Sequence, residues 1–370
     1  VVRALASRSE FVTAYTPYQP EVAQGVLQAI FEFQTMIARI SGLPVANASL
    51  YDGATALVEA VNLGVASSGS SRVVLSSGVH PHWRQVVETF AQGTGHEIET
   101  VELKDGLTDW SAITGTCGVI VVAQPNYLGG LEDLDAVRAL CDQTGALMVV
   151  AADPVASGVL KSPGAYGADV MVGEGQGFGT ALSFGGPYLG LFACTTKEIR
   201  RLPGRIVGET VDVEGRRAYV TTLRTREQDI RREKATSNVC TNQTLMAVAA
   251  SIQLGWLGTE GFRELALACA RGTKYLANQL GSSTSAKLLH PNLPTFRELA
   301  IRTTAPASVV IERMAAKGFL AGIAASSLTR GSDPSLSDQD LDHVLLVSVT
   351  ERRTAAEIDA YILALEEAAA

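Results

Sequence analysis

The sequence lacks long hydrophobic runs, paired-cysteine motifs and an excess of positive charge. No apolar stretch approaches the ~18 residues that a membrane-spanning helix needs, and the opening residues, VVRALASRSE, have no signal-peptide core. A net charge of −8 argues against general nucleic-acid binding. Five cysteines without a CxxC spacing favour reduced thiols in a cytoplasmic protein. We therefore expect a cytoplasmic chain with no membrane and no nucleic-acid partner.

Hydrophobic residues, at 46% of 370 positions, are sufficient for a sizeable core. Helical spacing predicts helices at 21–42 and 53–66, and short β-rich runs then alternate with helices. The predicted strands are 72–77, 97–103, 118–125, 146–153, 168–175 and 188–195, and further helices are predicted at 82–95 and 134–145. This alternation predicts a mostly parallel sheet covered by helices on both faces.

The second half of the chain departs from this alternation. Residues 196–245 are basic and polar with little core pattern, which predicts a functional or interface-forming excursion. Helices are predicted at 244–258 and 260–281, and residues 290–370 have the pattern of a small α+β domain. We therefore predict a partner-facing N-terminal segment and helix (1–50), a large α/β domain (51–255), and a linking helix with a small C-terminal α+β domain (256–370).

That α/β layout is similar to the aspartate-aminotransferase-like fold (fold type I) of enzymes that use pyridoxal phosphate. In such enzymes a small-residue turn opens a helix whose backbone N–H groups hold the cofactor phosphate. The stretch SLYDGATA offers Ser49, Gly53 and Thr55 for that role. The alternative is an ordinary loop in which Asp52 caps the helix.

Two further residues fit the outline of such a site. His80, directly after the strand at 72–77, is placed to stack on a pyridine ring, or is simply a polar residue at the end of a strand. Asp153 ends a buried strand, where a carboxylate pairs with the pyridinium nitrogen of the cofactor. Its alternative is an acidic cap of the strand end.

The lysine that attaches the cofactor is missing where this layout requires it. It is expected after the strand that follows Asp153, but VGEGQGFGTALSFGGPYLG (172–190) contains no lysine. Lys161 comes too early and Lys197 comes after a further strand. The chain therefore has the outline of a cofactor site without its nucleophile, and we expect no independent aminotransferase chemistry.

A stiff segment rich in tyrosine and proline, FVTAYTPYQPE, precedes the first predicted long helix. Pro17 and Pro20 restrict the backbone, so Tyr15 and Tyr18 are expected to project from an extended stretch. Rigid phenols suit either a site or an interface, because tyrosine is common at interfaces.

Together these motifs resemble the P-protein (glycine decarboxylase) family of the glycine cleavage system, and more closely its subunit 1, the lysine-free subunit of two-subunit bacterial forms. The resemblance spans nearly the whole chain and rests on TAYTPYQPEVAQG, NASLYDGATALVEA, AQPNYLGGLEDL, GEGQGFGTALSFGGPYLGLFA and LPGRIVGETVDVEGRRAYVTTLRTREQDIRREKATSNVCTNQ. On this resemblance we expect a natural segment ahead of Val1.

The resemblance implies a glycine dehydrogenase (aminomethyl-transferring, decarboxylating), an oxidoreductase of glycine catabolism arranged as a heterotetramer. Pyridoxal phosphate would be held covalently by the lysine-bearing subunit 2, glycine would be decarboxylated, and the aminomethyl group would pass to the lipoyl arm of H-protein. This chain alone would be inactive. The alternative is a non-catalytic ligand-binding or scaffold protein of the same fold.

The resemblance also assigns roles to residues. Tyr15, Tyr18 and Gln19 would reach across the subunit boundary toward the partner's catalytic site. A vestigial pocket that does not hold pyridoxal phosphate would comprise Ser49, Asp52, Gly53, Thr55, His80 and Asp153. The arginines between Arg200 and Lys234 form either a solvated surface, a subunit interface or a dock for H-protein. Thr241 and Asn242 either cap the next helix or face the site.

Overall fold

The computed structural model describes residues 1–13, 16–327 and 337–370. The helices in this part of the chain are α1 Val2–Ala6, α2 Gln24–Ser41, α3 Gly53–Ser68, α4 Pro81–Thr94, α5 Leu134–Thr144, α6 Gln228–Arg231, α7 Thr244–Leu280, α8 Ala307–Ala316, α9 Asp338–Leu341 and α10 Ala355–Ala369. The strands are β1 Val45–Ala46, β2 Arg72–Ser76, β3 Glu97–Val101, β4 Leu103–Lys104, β5 Leu107–Thr108, β6 Val119–Gln124, β7 Leu147–Ala152, β8 Val170–Glu174, β9 Gly190–Cys194, β10 Val207–Val211, β11 Arg217–Thr221, β12 Ala286–Leu288, β13 Glu298–Thr303, β14 Ile323–Ala324 and β15 Val344–Ser348.

A mostly parallel sheet forms the centre of the molecule, in the order β1-β9-β8-β7-β6-β2-β3. Strands β3, β2, β6, β7 and β8 run parallel, whereas β9 is antiparallel to β8 and β1 is antiparallel to β9. Every residue of β7 is buried, which explains why its sequence, LMVVAA, is apolar throughout instead of alternating. The predicted parallel sheet is confirmed.

Separate hydrophobic clusters cover the two faces of this sheet. Helices α2, α5 and α7 pack on one face, where Phe33, Val137 and Ala250 are buried. Helix α3 packs on the other face through Leu57 and Val61. Such two-sided coverage gives a sheet whose polar positions concentrate at the ends of its strands, where ligand sites of α/β proteins lie.

The stretch 196–245 contains more ordered core than its composition predicts. Strands β10 and β11 form an antiparallel hairpin against α2, and Val207 and Tyr219 are buried there. The amide of Gln34 bonds both backbone groups of Val207, at 2.9 and 3.0 Å. The expectation of little core pattern is therefore wrong for the hairpin, because a few apolar residues among arginines and glutamates are enough to bury one face of a two-stranded ribbon.

A second sheet lies in the C-terminal part of the chain, in the antiparallel order β12-β13-β15-β14. Helices α8 and α10 pack on it through Val310 and Leu365. The long helix α7 connects the two sheets and is interrupted at Gly258, whose φ of 63° and ψ of −175° are not helical. The predicted break between helices at 258 and 260 is thus confirmed. The domain limits at residues 50 and 255 stay predictions.

Within the described ranges, none of the helices combines the length and apolar character that crossing a membrane requires.

Candidate functional site

A cavity of about 940 Å³ lies where the carboxyl ends of the central strands face the second sheet. Its walls come from the segments after β2, β6, β7 and β8 on one side and from β13, β15, α10 and residues 318–323 on the other. This is the edge of a parallel sheet at which α/β proteins bind ligands, and the volume suits a small molecule. Of the residues predicted for the site, His80 and Asp153 line this cavity.

The carboxylate of Asp153 is paired inside the chain. Its Oδ2 lies 2.5 Å from Nε of Arg297, and its Oδ1 accepts a 3.0 Å hydrogen bond from the backbone N–H of Val155. Burial raises the pKa of Asp153, and the charge of Arg297 opposes that shift. The charge that would face a pyridinium nitrogen is therefore already balanced by an arginine at the edge of the second sheet.

Two more titratable groups lie beside this ion pair. Burial, followed by the charge of Asp153, raises the pKa of Glu298 to about 7. Burial also raises the pKa of Tyr127 to about 12, and its hydroxyl has no hydrogen-bond partner among the described residues. The inner wall thus carries Asp153, Glu298 and Arg297, two acids that share one cation.

His80 lines the cavity with its ring turned against a neighbouring tyrosine. The centroids of the His80 and Tyr127 rings are 4.7 Å apart with an interplanar angle of 72°, an edge-to-face contact. Nδ1 of His80 accepts a 3.2 Å bond from the backbone N–H of His82 at the start of α4. Burial, assisted by the charges of His82 and Arg84, lowers the pKa of His80 to about 4, so the ring is neutral at pH 7.

The start of α3, where the sequence suggests a phosphate site, is filled by side chains of the chain itself. Asp52 caps the helix by accepting the backbone N–H of Thr55 at 2.8 Å. Glu174, the last residue of β8, accepts the backbone N–H of Gly53 at 3.0 Å. Both carboxylates act as the anions that a helix N-terminus attracts.

Glu174 also collects two donors from the loop that follows it. One of its oxygens accepts the backbone N–H groups of Gln176 at 3.0 Å and Leu189 at 2.9 Å, and the other accepts that of Gly53. Burial raises the pKa of Glu174, while these three donors act in the opposite direction. A three-donor cradle of backbone N–H groups is thus closed by an internal carboxylate.

Trp83, from the first turn of α4, packs over the same helix start. A Cβ placed on Gly53 would lie 2.3 Å from two carbons of the Trp83 ring, so only glycine fits at this position. The groups that would hold pyridoxal phosphate are therefore bonded within the chain or absent. Glu174 and Trp83 cover the start of α3, and Arg297 forms an ion pair with Asp153. No lysine lies among the described residues that line the cavity. The residues present do not fit this cofactor.

Ser49 lies away from the cavity and supports another segment. It is fully buried with a φ of 97°, and its hydroxyl accepts bonds from the side-chain amide of Asn242 at 3.3 Å and the backbone N–H of Gln243 at 3.2 Å. Asn242 also donates to the carbonyl of Ala48 at 2.5 Å. The left-handed backbone at Ser49 thus lies at a junction, where the segment before α3 contacts the start of α7.

Tyr18 is anchored on this junction. Its hydroxyl donates to Oδ1 of Asn242 and lies 2.8 Å from the hydroxyl of Thr241. The guanidinium of Arg205 is 5.0 Å from the centre of the Tyr18 ring, a cation–π contact. Thr241 and Asn242 do not cap α7, because the capping position is Gln243 and it makes no side-chain cap bond.

Gln19, the residue after Tyr18, is less enclosed than Tyr18. The side chain of Gln19 is exposed, and only its carbonyl is bonded, to the backbone N–H groups of Val22 and Ala23. Tyr15 lies outside the described residues. The structure therefore fixes Tyr18 within the chain and leaves Gln19 turned to the surface.

Two arginines of the basic stretch bond a carboxylate and backbone carbonyls of the same chain. Arg205 pairs with Glu227 and donates to the carbonyl of Cys240 at 3.2 Å. Arg226 donates to the carbonyls of Leu202 and Gly204. Arg216 instead pairs with Asp212 on the surface, as a solvated surface would have it. A subunit interface and a dock for H-protein stay predictions for this stretch.

Sequence reasoning missed Glu174, Trp83 and Arg297. Glu174 lies in the quoted stretch GEGQG, but only its contact with Gly53 reveals a role, and the two are far apart in the chain. An acidic residue at a strand end next to the strand of Asp153 was the available signal. No cluster of three His, Cys, Asp or Glu side chains suited to a metal ion occurs in the described part of the chain.

Comparisons with known proteins agree over the full length. The family model described as "Glycine cleavage system P-protein" matches residues 1–365. The chain is 46% identical over 367 residues to "Probable glycine dehydrogenase (decarboxylating) subunit 1" of Prosthecochloris aestuarii, covering 98% of this chain and 80% of that protein. It is 45% identical over 372 residues to the protein of the same name from Geotalea uraniireducens, covering 100% of this chain and 82% of that one.

Solved structures extend this comparison to the fold. A crystal structure of glycine decarboxylase (P-protein) of the glycine cleavage system, in inhibitor-bound form, superimposes with a TM-score of 0.92 at 44% identity, covering 99% of this chain and 81% of that one. A NifS-like protein from Rickettsia africae gives a TM-score of 0.70 at 12% identity over 99% of this chain and 93% of that one, and so shares the fold alone. The predicted fold of the pyridoxal phosphate-dependent transferases is confirmed.

Proposed function

Because this chain belongs to the glycine cleavage system P-protein family, we propose that it acts as subunit 1 of a glycine decarboxylase, together with a lysine-bearing partner subunit. The relatives are named as probable glycine dehydrogenase (decarboxylating) subunit 1, and we assign to the assembled enzyme the aminomethyl-transferring form of that reaction. The partner would hold pyridoxal phosphate covalently, and the bound cofactor would supply the electron sink for loss of CO₂ from glycine. The aminomethyl group that remains passes to the lipoyl arm of H-protein.

One observation carries the division of labour between the subunits. The chain has the fold of the pyridoxal phosphate-dependent transferases, yet residues 172–190 contain no lysine, and none lines the cavity among the described residues. Attachment of the cofactor requires a lysine amine. The chain therefore supplies structure and contacts, and its partner supplies the reactive lysine.

The tyrosine–proline segment is the part of this chain that we assign to the partner's site. Tyr18 acts as its anchor, because its hydroxyl and ring are held by Asn242, Thr241 and Arg205. Gln19 is exposed next to that anchor, and Tyr15 lies three residues before it in the sequence. We assign to Tyr15 and Gln19 direct contact with the bound glycine or the groups around it, and to Tyr18 the task of fixing their position.

Anchoring one residue of the segment lowers the entropy lost when the two subunits assemble. Pro17 and Pro20 restrict the backbone on both sides of Tyr18.

A reducing compartment such as the cytoplasm fits the proposed function, since Cys117, Cys141, Cys194, Cys240 and Cys269 are all free thiols.

Reconstitution tests the proposal. The purified chain is mixed with the lysine-bearing partner, pyridoxal phosphate and lipoylated H-protein, and exchange of carbon between glycine and bicarbonate is measured. We expect no exchange from this chain alone and exchange at full rate from the pair. Replacing the cofactor lysine of the partner should abolish the activity, whereas no lysine substitution in this chain should do so.

Turnover by this chain alone would contradict the proposal, because it would require one of its own lysines to attach the cofactor. A pair that assembles but gives no exchange would favour the alternative, a non-catalytic protein of the same fold.

A further inference from the structure

We propose that Glu174 is a built-in substitute for the phosphate of a bound cofactor, so that the cavity of this chain rejects ligands that carry a phosphate group. The inference rests on residues of this chain and does not depend on the activity of the assembled enzyme.

The position of the Glu174 carboxylate is that of an anion at a helix start. Its two oxygens accept hydrogen bonds from the first N–H group of α3, at Gly53, and from two N–H groups of the loop after β8, at Gln176 and Leu189. The three distances lie between 2.9 and 3.0 Å. Phosphate bound at a helix N-terminus uses the same kind of donors, which are backbone N–H groups pointing at one centre of negative charge. With Glu174 in place, those donors are already bonded.

Charge and space both act against a second anion at this point. Asp52 caps the same helix and adds another carboxylate beside Glu174, whose pKa its charge helps to raise. A phosphate would bring further negative charge next to these groups, and juxtaposed like charges are costly. The ring of Trp83 also occupies the space directly above Gly53, where a single added carbon would lie 2.3 Å from ring atoms.

The rest of the cavity remains open to ligands without a phosphate. Glu174 and Trp83 are only two of the residues that line a volume of about 940 Å³, and Asp153, Arg297 and Glu298 also line it. The exclusion is therefore selective: it concerns the phosphate end of a ligand, and it explains how a chain with this fold can share a cell with pyridoxal phosphate without retaining it.

Substitution of Glu174 tests the proposal on the full chain. Glu174→Ala vacates the cradle, and Glu174→Ser vacates it while leaving one hydroxyl for the freed N–H groups. The probes are inorganic phosphate and pyridoxine 5′-phosphate, which has no aldehyde and so cannot attach to surface lysines. We expect the variants to bind pyridoxine 5′-phosphate at least about tenfold more tightly than the wild type in calorimetric titrations.

Thermal unfolding gives a second readout. Phosphate should raise the Tm of both variants relative to chloride at equal ionic strength, because the ion replaces the lost carboxylate and stabilises the folded state by mass action. The Tm of the wild type should show only the smaller, non-specific rise that phosphate, as a kosmotropic anion, gives any folded protein. Glu132→Ala is the matched control: Glu132 is also a buried carboxylate, with Thr108 and Asn126 as its donors, but no helix N-terminus contributes to its bonds.

The outcomes separate clearly. A gain in phosphate response by either Glu174 variant, without a gain by Glu132→Ala, supports the proposal. Folded variants that respond like the wild type overturn it. Saturable binding of pyridoxine 5′-phosphate by the wild type also overturns it, and this measurement decides the matter if neither variant folds, since absence of such binding supports the exclusion.

Discussion

The guanidinium of Arg297 lies 2.5 Å from the carboxylate of Asp153 and joins the end of β7 to the second sheet across the cavity. The side chains are only 24% and 12% exposed, so water screens the pair poorly. The interaction therefore links the two sheets at the place where a ligand of this fold would otherwise lie between them.

Breaking this pair should destabilise the chain. Arg297→Gln leaves Asp153 buried without its cation, so we expect the free energy of unfolding to fall by about 3 kcal/mol, the lower end for a buried pair because Arg297 retains some exposure. Chemical denaturation measures the change. Arg302→Gln is the control. Arg302 lies in β13, which begins directly after Arg297 in the chain, and its exposed pair with Asp340 should contribute less than about 1 kcal/mol. Equal losses from both variants would argue against a special role for Asp153 and Arg297.

Tyr18 and Asn242 should act as one unit in the assembled enzyme. Tyr18→Phe removes the hydroxyl that holds the segment, and we expect glycine–bicarbonate exchange to fall roughly tenfold through loss of positioning. Asn242→Ala should have a similar effect because it removes the acceptor of that hydroxyl. The double variant should be no worse than the more impaired single variant, since each change breaks the same contact.

The control for this cycle is Tyr275→Phe, which removes a hydroxyl bonded to Asp359 on the surface at 2.7 Å. Its exchange rate should match that of the wild type. Strictly multiplicative losses from Tyr18→Phe and Asn242→Ala would show that the two residues act independently and would remove the anchor from the proposed function.

Glu59 should make stability depend on pH. It lies in α3 at 8% exposure, and burial raises its pKa from 4.5 to about 7, while a hydrogen bond from Ser237 opposes the rise. Its contribution to stability is fully present below pH 4.5 and is lost as pH rises through 7. Between these two pH values the folded state keeps a proton on Glu59 that the unfolded chain has already released, so each rise in pH favours unfolding. Glu59→Gln should remove this loss, which is on the order of 3 kcal/mol by pH 8.

Denaturation curves of the wild type and Glu59→Gln between pH 5 and pH 8 measure the effect. This range roughly spans the pKa values of Glu59 in the unfolded and folded states. The difference between the two proteins should grow as pH rises. Parallel pH profiles would mean that Glu59 is ionised in the folded state at neutral pH.

His80 should act in the opposite direction, at acid pH. Its pKa is lowered from 6.5 to about 4, mainly by burial, so its contribution to stability is present above pH 6.5 and is lost as pH falls through 4. His80→Asn keeps a side-chain acceptor at the start of α4 but does not titrate, and it should therefore lose less stability on acidification. Thermal unfolding across this range measures the difference.

His82→Asn is the matched control for that experiment, because it replaces an exposed histidine whose backbone N–H bonds His80. It should alter the acid profile far less, since burial and not the charge of His82 is the main cause of the shift at His80. Equal effects of the two variants would contradict a buried neutral His80.

Much of the fold follows from periodicity, because its strongest signals are local. The apolar run of β7 and the helical spacing of α2 depend only on neighbours in sequence, and both elements lie where the pattern predicts them. The hairpin β10–β11 was missed because its pairing of Val207 with Thr221 and its burial against α2 are long-range. The break at Gly258 was found because glycine interrupts two otherwise continuous patterns.

The site was less predictable, for the same physical reason. His80 and Asp153 could be placed at the cavity because both follow strands whose carboxyl ends share one edge. What neutralises Asp153 and what covers Gly53 could not be predicted, since Arg297 comes from the other sheet and Glu174 from a strand far along the chain. Partners that meet only in three dimensions leave no local pattern.

The Glu174 carboxylate at the start of α3 has a consequence for how folding of this chain depends on cofactor supply. Proteins that need a bound cofactor to complete a helix start lose that stabilisation when the cofactor becomes scarce, because ligands stabilise by mass action. Here the N–H groups of Gly53, Gln176 and Leu189 are bonded by a residue synthesised with the chain. The start of α3 is therefore satisfied without a ligand, and the folding of this chain should not depend on the supply of pyridoxal phosphate.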